Sequence, residues 1–178
     1  MKRSLLLAAL AVGLVGCGGG GSGSGVSAQR DVEDWLDRLE SAYQYGLDDD
    51  SSSRFADLIS VNYCQDGRNR DDEIDLFIAD VQAAQDDSAD EVVIRNVRID
   101  NARYENNDNR IQARVRYTVE FYDNGQFVGQ IPSFDDSRFV LQLEGSRYRA
   151  LGSDTGCFLV RSQDKVKTLP QYISKKQK

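Results

Sequence analysis

Three cysteines, Cys17, Cys64 and Cys157, are the strongest nucleophiles of this 178-residue chain, and no histidine stands anywhere in it to activate them. Without an imidazole base, neither Cys64 nor any serine has the partner that nucleophilic catalysis requires. Two cysteines with no histidine also fall short of the usual four ligands of a zinc site. The run Asp66-Gly67-Arg68-Asn69-Arg70-Asp71-Asp72-Glu73 is acid-rich like a calcium loop. Arginines occupy two of the places where such a loop supplies oxygen, so the run reads as a turn and helix cap. Residues 18–25 are glycine-rich, but no strand leads in and no helix is expected to start there, so a phosphate loop is excluded. Proton transfer would fall to a carboxylic acid whose pKa is raised by burial, working with a tyrosine. Tyr43, Tyr63 and Tyr117 are the candidate pocket-lining hydroxyls, each equally suited to a core position with its hydroxyl at the rim. No catalytic residue, metal ligand or cofactor is assigned.

Cys17 has a different chemistry open to it. Lys2 and Arg3 are followed by the apolar run Ser-Leu-Leu-Leu-Ala-Ala-Leu-Ala-Val-Gly-Leu-Val-Gly, which stops at Cys17. This is the layout of a secretory signal. It is well short of the roughly 20 residues that span a bilayer as a helix. Leu14-Val15-Gly16-Cys17 resembles the lipobox of bacterial lipoproteins. The resemblance implies cleavage before Cys17 and acylation of its thiol; several acyl chains on one cysteine anchor stably where a single chain does so only marginally. In a double-membraned bacterium the same resemblance, with Gly18 where an inner-membrane lipoprotein has aspartate, implies the outer membrane, with the domain facing the periplasm. Residues 1–16 are then a signal peptide, and 17–29 a lipidated cysteine with a glycine/serine tether holding the domain on the order of 20 Å from its lipid.

Removing Lys2 and Arg3 takes the formal charge from -7 to -9. About 150 residues remain, the size of one domain. With 40% hydrophobic and 29% charged residues the chain can build a core under a soluble surface. Residues 31–90 carry eighteen acids against four arginines, a balance of -14, while residues 91–178 carry eleven acids against fifteen bases, a balance of +4. Net acidity argues against general nucleic-acid binding, which needs a basic footprint. In an oxidising compartment the two remaining cysteines tend to pair, giving a Cys64–Cys157 disulfide; two separate buried thiols are the alternative.

Val32, Trp35, Leu36, Leu39, Ala42 and Tyr43 recur at steps of three and four and predict a helix over 31–46, with Asp31, Glu33 and Asp34 in its first turn. Asp-Asp-Asp-Ser-Ser-Ser at 48–53 supplies N-caps for a short helix carrying Phe55, Leu58 and Ile59. A third helix starts near Asp71, with Ile74, Phe77, Ile78 and Val81 on one face. From residue 91 the period drops to two. A strand over 92–103 precedes the long strand Ile111, Ala113, Val115, Tyr117, Val119 and Phe121, whose other face is polar. Asp123-Asn124-Gly125 is a hairpin turn. Short strands are expected at 126–131, around Phe139, Leu141 and Leu143, at 148–151 and at 158–160. Arg114 and Arg116 share one direction, and Arg147 and Arg149 another, which would form a basic stripe for an acidic partner if the two faces coincide.

Helices followed by antiparallel strands define an α+β domain over 30–161, with N-terminal helices packed on a curved antiparallel sheet. This order, with a loop containing Tyr63-Cys64-Gln65-Asp66-Gly67 between helices and strands, resembles the nuclear transport factor 2-like or SnoaL-like superfamily. The resemblance implies a cone with a pocket between sheet and helices; enzymes of that kind commonly use Asp, His and Tyr. Residues 162–178 read as a basic tail, a solvated end or a contact for anionic lipid or cell-wall polymer. Together these features predict a membrane-anchored periplasmic lipoprotein acting as a noncatalytic binding or assembly module, with an envelope protein or a second copy as partner. A small-ligand pocket protein or a histidine-free dehydratase or isomerase is the alternative.

Overall fold

The structure is a computed structural model that describes residues 24–152 and 173–174. Three helices lead: α1 (Ser24–Asp49), α2 (Ser53–Ala56) and α3 (Arg70–Asp86). A small ladder of β1 (Cys64–Gln65) and β2 (Arg68–Asn69) sits between α2 and α3. The main sheet follows, with β3 (Glu91–Glu105), β4 (Arg110–Asp123), β5 (Gln126–Glu144), β6 (Arg147–Ala150) and β7 (Ile173–Ser174). Its order is β3-β4-β5-β6, all antiparallel, and β7 pairs with β5. The nineteen residues of β5 carry β4 along one edge; Leu141 to Glu144 pair with β6, and Gly129 and Gln130 with β7.

Helix α1 buries the predicted stripe of Val32, Trp35, Leu36, Leu39, Ala42 and Tyr43 against the sheet. It starts inside the segment read as tether, because Ala28 continues the apolar stripe by one turn and is fully buried. Asp31, Glu33 and Asp34 consequently lie within the helix and not in its first turn. There Asp31 accepts the Tyr104 hydroxyl at 2.6 Å. Helix α2 is one turn, and its N-cap Ser52 makes no side-chain cap hydrogen bond, so Leu58 and Ile59 are buried from the turn after it. Helix α3 starts where expected, on a full capping box in which Asn69 accepts from the backbone of Asp71 and Asp72 while Asp72 accepts from Asn69. The acid-rich run at 66–73 is thus a turn and cap.

The sheet is curved by bulges. Register shifts interrupt the β3-β4 ladder between Arg95 and Arg98 and between Asp100 and Arg103. Asn96 (φ 56°) and Asn101 (φ 57°) occupy these breaks, in the left-handed region that asparagine tolerates. Three more shifts bend β4 against β5. The 126–131 and 139–143 segments, expected as separate strands, form one bent strand, because a bulge between Asp136 and Phe139 absorbs the break in alternation. Beyond Ala150 the edge is closed by chain 58–60: Ala150 donates to the Leu58 carbonyl at 2.7 Å and accepts from Ser60 at 2.8 Å. Ile173 and Ser174, within the segment read as a tail, join the sheet as β7. The strand expected at 158–160 lies outside the described residues.

Candidate functional site

The concave face of the sheet and the three helices leave a cavity of about 80 Å³ between them. Trp35, Leu39 and Tyr43, four residues apart on α1, form one wall. Phe55 comes from α2, Ile59 and Tyr63 from the turn behind it, Gln65 from β1 and Glu73 from the first turn of α3. Strand alternation aims Tyr117 inward from β4, where it stacks on Phe134 of β5 with ring centres 5.0 Å apart. Asp136 and Phe139 complete the β5 side, and Ala150 and Gly152 the far edge. All three tyrosines singled out in the sequence therefore meet at one place. Glu73 and Asp136 were not anticipated. Asp136 was illegible because the β5 bulge, not simple alternation, decides that it faces in while Asp135 faces out.

The two carboxylates differ in partners. Glu73 forms an ion pair with the almost fully buried Arg68 at 2.9 Å, and Arg68 also hydrogen-bonds the Tyr63 hydroxyl. Asp136 accepts the Arg138 backbone N–H at 2.8 Å and has no ion-pair partner among the described residues. Burial, reinforced by Asp80 at Tyr43 and by Glu73 at Tyr63, holds both phenols well above their ordinary acidity. Burial and then Glu73 and Asp136 do the same at Tyr117. A buried phenolate would leave water for a low-dielectric wall beside carboxylates, so these tyrosines stay protonated and act as donors, never as bases. A raised folded-state pKa means the native state keeps a proton that the unfolded chain releases near pH 10. The resulting stability is complete below that pH and falls as pH rises above it. Ultraviolet phenolate titration is expected to show Tyr43, Tyr63 and Tyr117 silent until the domain unfolds. Smooth ionisation of all eight tyrosines near pH 10 in the folded protein would contradict this packing.

No family model matches the chain, and no curated protein matches it. Among solved structures it is similar to a designed nuclear transport factor 2-like protein, at 12% identity and a TM-score of 0.39, over 68% of this chain and 96% of that one. It is also similar to a single-residue variant of Rv3472, a function-unknown protein from Mycobacterium tuberculosis. That likeness has 14% identity and a TM-score of 0.39, over 74% of this chain and 75% of the other. At this level of similarity the α+β architecture is read from the chain's own helices and curved sheet.

A second concavity, an open groove of about 700 Å³, lies between α1, α2 and the β5-β6 turn. Asp31, Asp34, Asp37 and Asp57 line it together with Arg38, Arg54 and Arg147. Its charges are largely engaged. Arg38 donates to the carbonyls of Asp34 and Tyr148, and Arg54 lies 4.0 Å over the Tyr45 ring and donates to Ser41. Three arginines of the stripe are likewise paired. Arg114 and Arg116 both face Asp135, whereas Arg149 faces Glu144 and Asp57. The register through Arg110, Gln142 and Arg149 does put these residues on one sheet face, interrupted by carboxylates. Among the described residues no cluster of metal-type ligands occurs, and no helix is long and apolar enough to cross a membrane. Cys64 is buried; Cys17 and Cys157 lie outside the described residues.

Proposed function

We propose that this chain is a lipid-anchored, periplasm-facing module of the bacterial outer membrane that holds a small ligand in the cavity between sheet and helices without transforming it. The observation that carries the binding reading is the convergence of Tyr43, Tyr63 and Tyr117 on one cavity from three separate elements. An aromatic-lined hollow with a few placed polar groups is the usual chemistry of a small-molecule site. Its volume, about 80 Å³, is below the roughly 300 Å³ at which drug-sized ligands are enclosed, so the ligand is a small one. The noncatalytic reading rests on the acid–base inventory. No histidine is present, the tyrosines are held protonated, Glu73 is tied to Arg68, and Asp136, the other carboxylate among the described lining residues, is held by the Arg138 backbone N–H.

The anchor rests on Leu14-Val15-Gly16-Cys17 and the tether behind it. Cys17→Ser is expected to release the protein from membranes as an unprocessed or secreted form. Retention of the variant in the outer-membrane fraction would remove the lipid anchor from this reading. The Cys64–Cys157 disulfide belongs to the same proposal. Support comes from Gly152, five residues before Cys157, whose backbone packs directly on that of Cys64. A peptide mass map without reductant would contain the joined Cys64 and Cys157 peptides, and free thiols on both would exclude the bond.

A further inference from the structure

The interior cavity combines two features that select one class of ligand. Its walls present several aromatic rings, and the formally charged side chains lining it among the described residues are both carboxylates, Glu73 and Asp136. Arg68 neutralises Glu73, which leaves the charge of Asp136 as the surplus on the cavity surface. Tyr117, stacked on Phe134, is carried on the same pair of strands as Asp136, so aromatic surface and negative charge adjoin. An anion would meet that carboxylate in a poorly solvated space, where like charges repel strongly. A neutral apolar molecule would cover the half-buried Asp136 carboxylate without offering its charge a partner. A small organic cation satisfies both surfaces, its charge facing Asp136 and its methyl groups against the ring faces, which attract cations through their quadrupole.

We infer that the cavity is a site for a small alkylated ammonium ion, held by the Asp136 carboxylate and by the ring faces of Tyr43, Tyr63, Tyr117 and Phe134. This rests on the small-ligand reading of the cavity and narrows it to a charge and a size. The space of about 80 Å³ limits the ligand to a handful of non-hydrogen atoms. Ammonium groups carrying short alkyl chains fit that limit; larger bases do not.

Trp35 is the only tryptophan in the chain and lies in the cavity wall, so its fluorescence reports occupancy directly. The full chain in detergent would be titrated with tetramethylammonium and, separately, with tert-butanol, a neutral molecule of similar size. Saturable change with tetramethylammonium, at an affinity at least tenfold above that of tert-butanol, is expected. Asp136→Asn should weaken tetramethylammonium binding about tenfold or more while leaving the melting temperature and tert-butanol response in place. Asp135→Asn, one residue away on the opposite face, should leave tetramethylammonium binding unaltered. Equal binding of the two probes, or an Asp136→Asn variant that binds tetramethylammonium like the parent, would overturn the ammonium assignment while the small-ligand pocket survives. Absence of saturation with either probe would overturn both.

Discussion

Gly152→Ala is expected to destabilise the domain by about 2–5 kcal/mol, the sum of a left-handed backbone penalty and forced overpacking. Gly152 has φ +76°, a conformation that a side chain disfavours. A Cβ there would also sit 2.1 Å from the Cys64 carbonyl oxygen and 2.5 Å from its carbonyl carbon. These obstacles are backbone atoms and cannot rotate away. Relief would require moving the chain after β6 away from β1, which breaks the Cys64 N–H bond to Leu151 at 2.9 Å and opens the cavity edge that Gly152 forms. Gly125→Ala is the control. Gly125 has the same φ, +76°, but nothing lies within 4 Å of its added Cβ, so only the backbone penalty of about 1–2 kcal/mol remains. Denaturant unfolding of the two variants separates the steric contribution from the conformational one. Equal losses would mean that the Gly152–Cys64 contact is not made in solution.

Phe121→Ala is expected to cost about 3–5 kcal/mol, the range for removing a wholly buried phenylalanine and leaving a cavity. Phe121 is fully buried on the concave side of β4, with its ring centre 5.9 Å from that of Tyr43 in an edge-to-face arrangement. Tyr43 in turn lies 4.7 Å from Phe77 of α3, and Phe77 stacks on Phe55 of α2 at 4.3 Å. One deletion in the sheet thereby removes the support of a chain of rings that reaches all three helices. Because the lost side chain stands behind a cavity wall, the ligand response of Trp35 should weaken along with stability. A loss under about 1 kcal/mol by denaturant unfolding would be incompatible with this packing, since a domain of ordinary stability has only about 5–15 kcal/mol in all.

The sequence by itself determined what depends on periodicity and short-range chemistry. The helical spacing from Val32 to Tyr43 marked the face of α1 that is buried, and strict alternation from Ile111 to Phe121 marked the inner face of β4. Arginines at two of the oxygen-ligand places separated the 66–73 run from a calcium loop without any fold, and the cap from Asn69 to Asp72 closes there within one turn. The order of elements, helices first and antiparallel strands after, sufficed for the α+β class. Tyr43 and Tyr117 could be named as pocket candidates because inward positions on a helix and a strand follow from those periods, whereas Tyr63 stands in the turn between α2 and β1.

Tertiary structure decided whatever depended on bulges and on contacts distant in sequence. Alternation fails at Asn96, at Asn101 and between Asp136 and Phe139, and only the pairing of neighbouring strands reveals that the strands continue through these breaks. The same breaks curve the sheet over α1 and turn Asp136 inward, so the charge of the cavity was hidden by the irregularity that creates the cavity. Arg68 and Glu73 are five residues apart and look like ordinary surface charges in a polar run. Packing of the β1-β2 ladder under the cavity buries the arginine and makes the carboxylate its obligatory partner. The tether-to-helix boundary moved to Ser24 for a similar reason: Ala28 is worth burying only because a sheet lies beneath it. Local pattern specifies which residues face a core, and the long-range register of a bent sheet specifies which of them face one another.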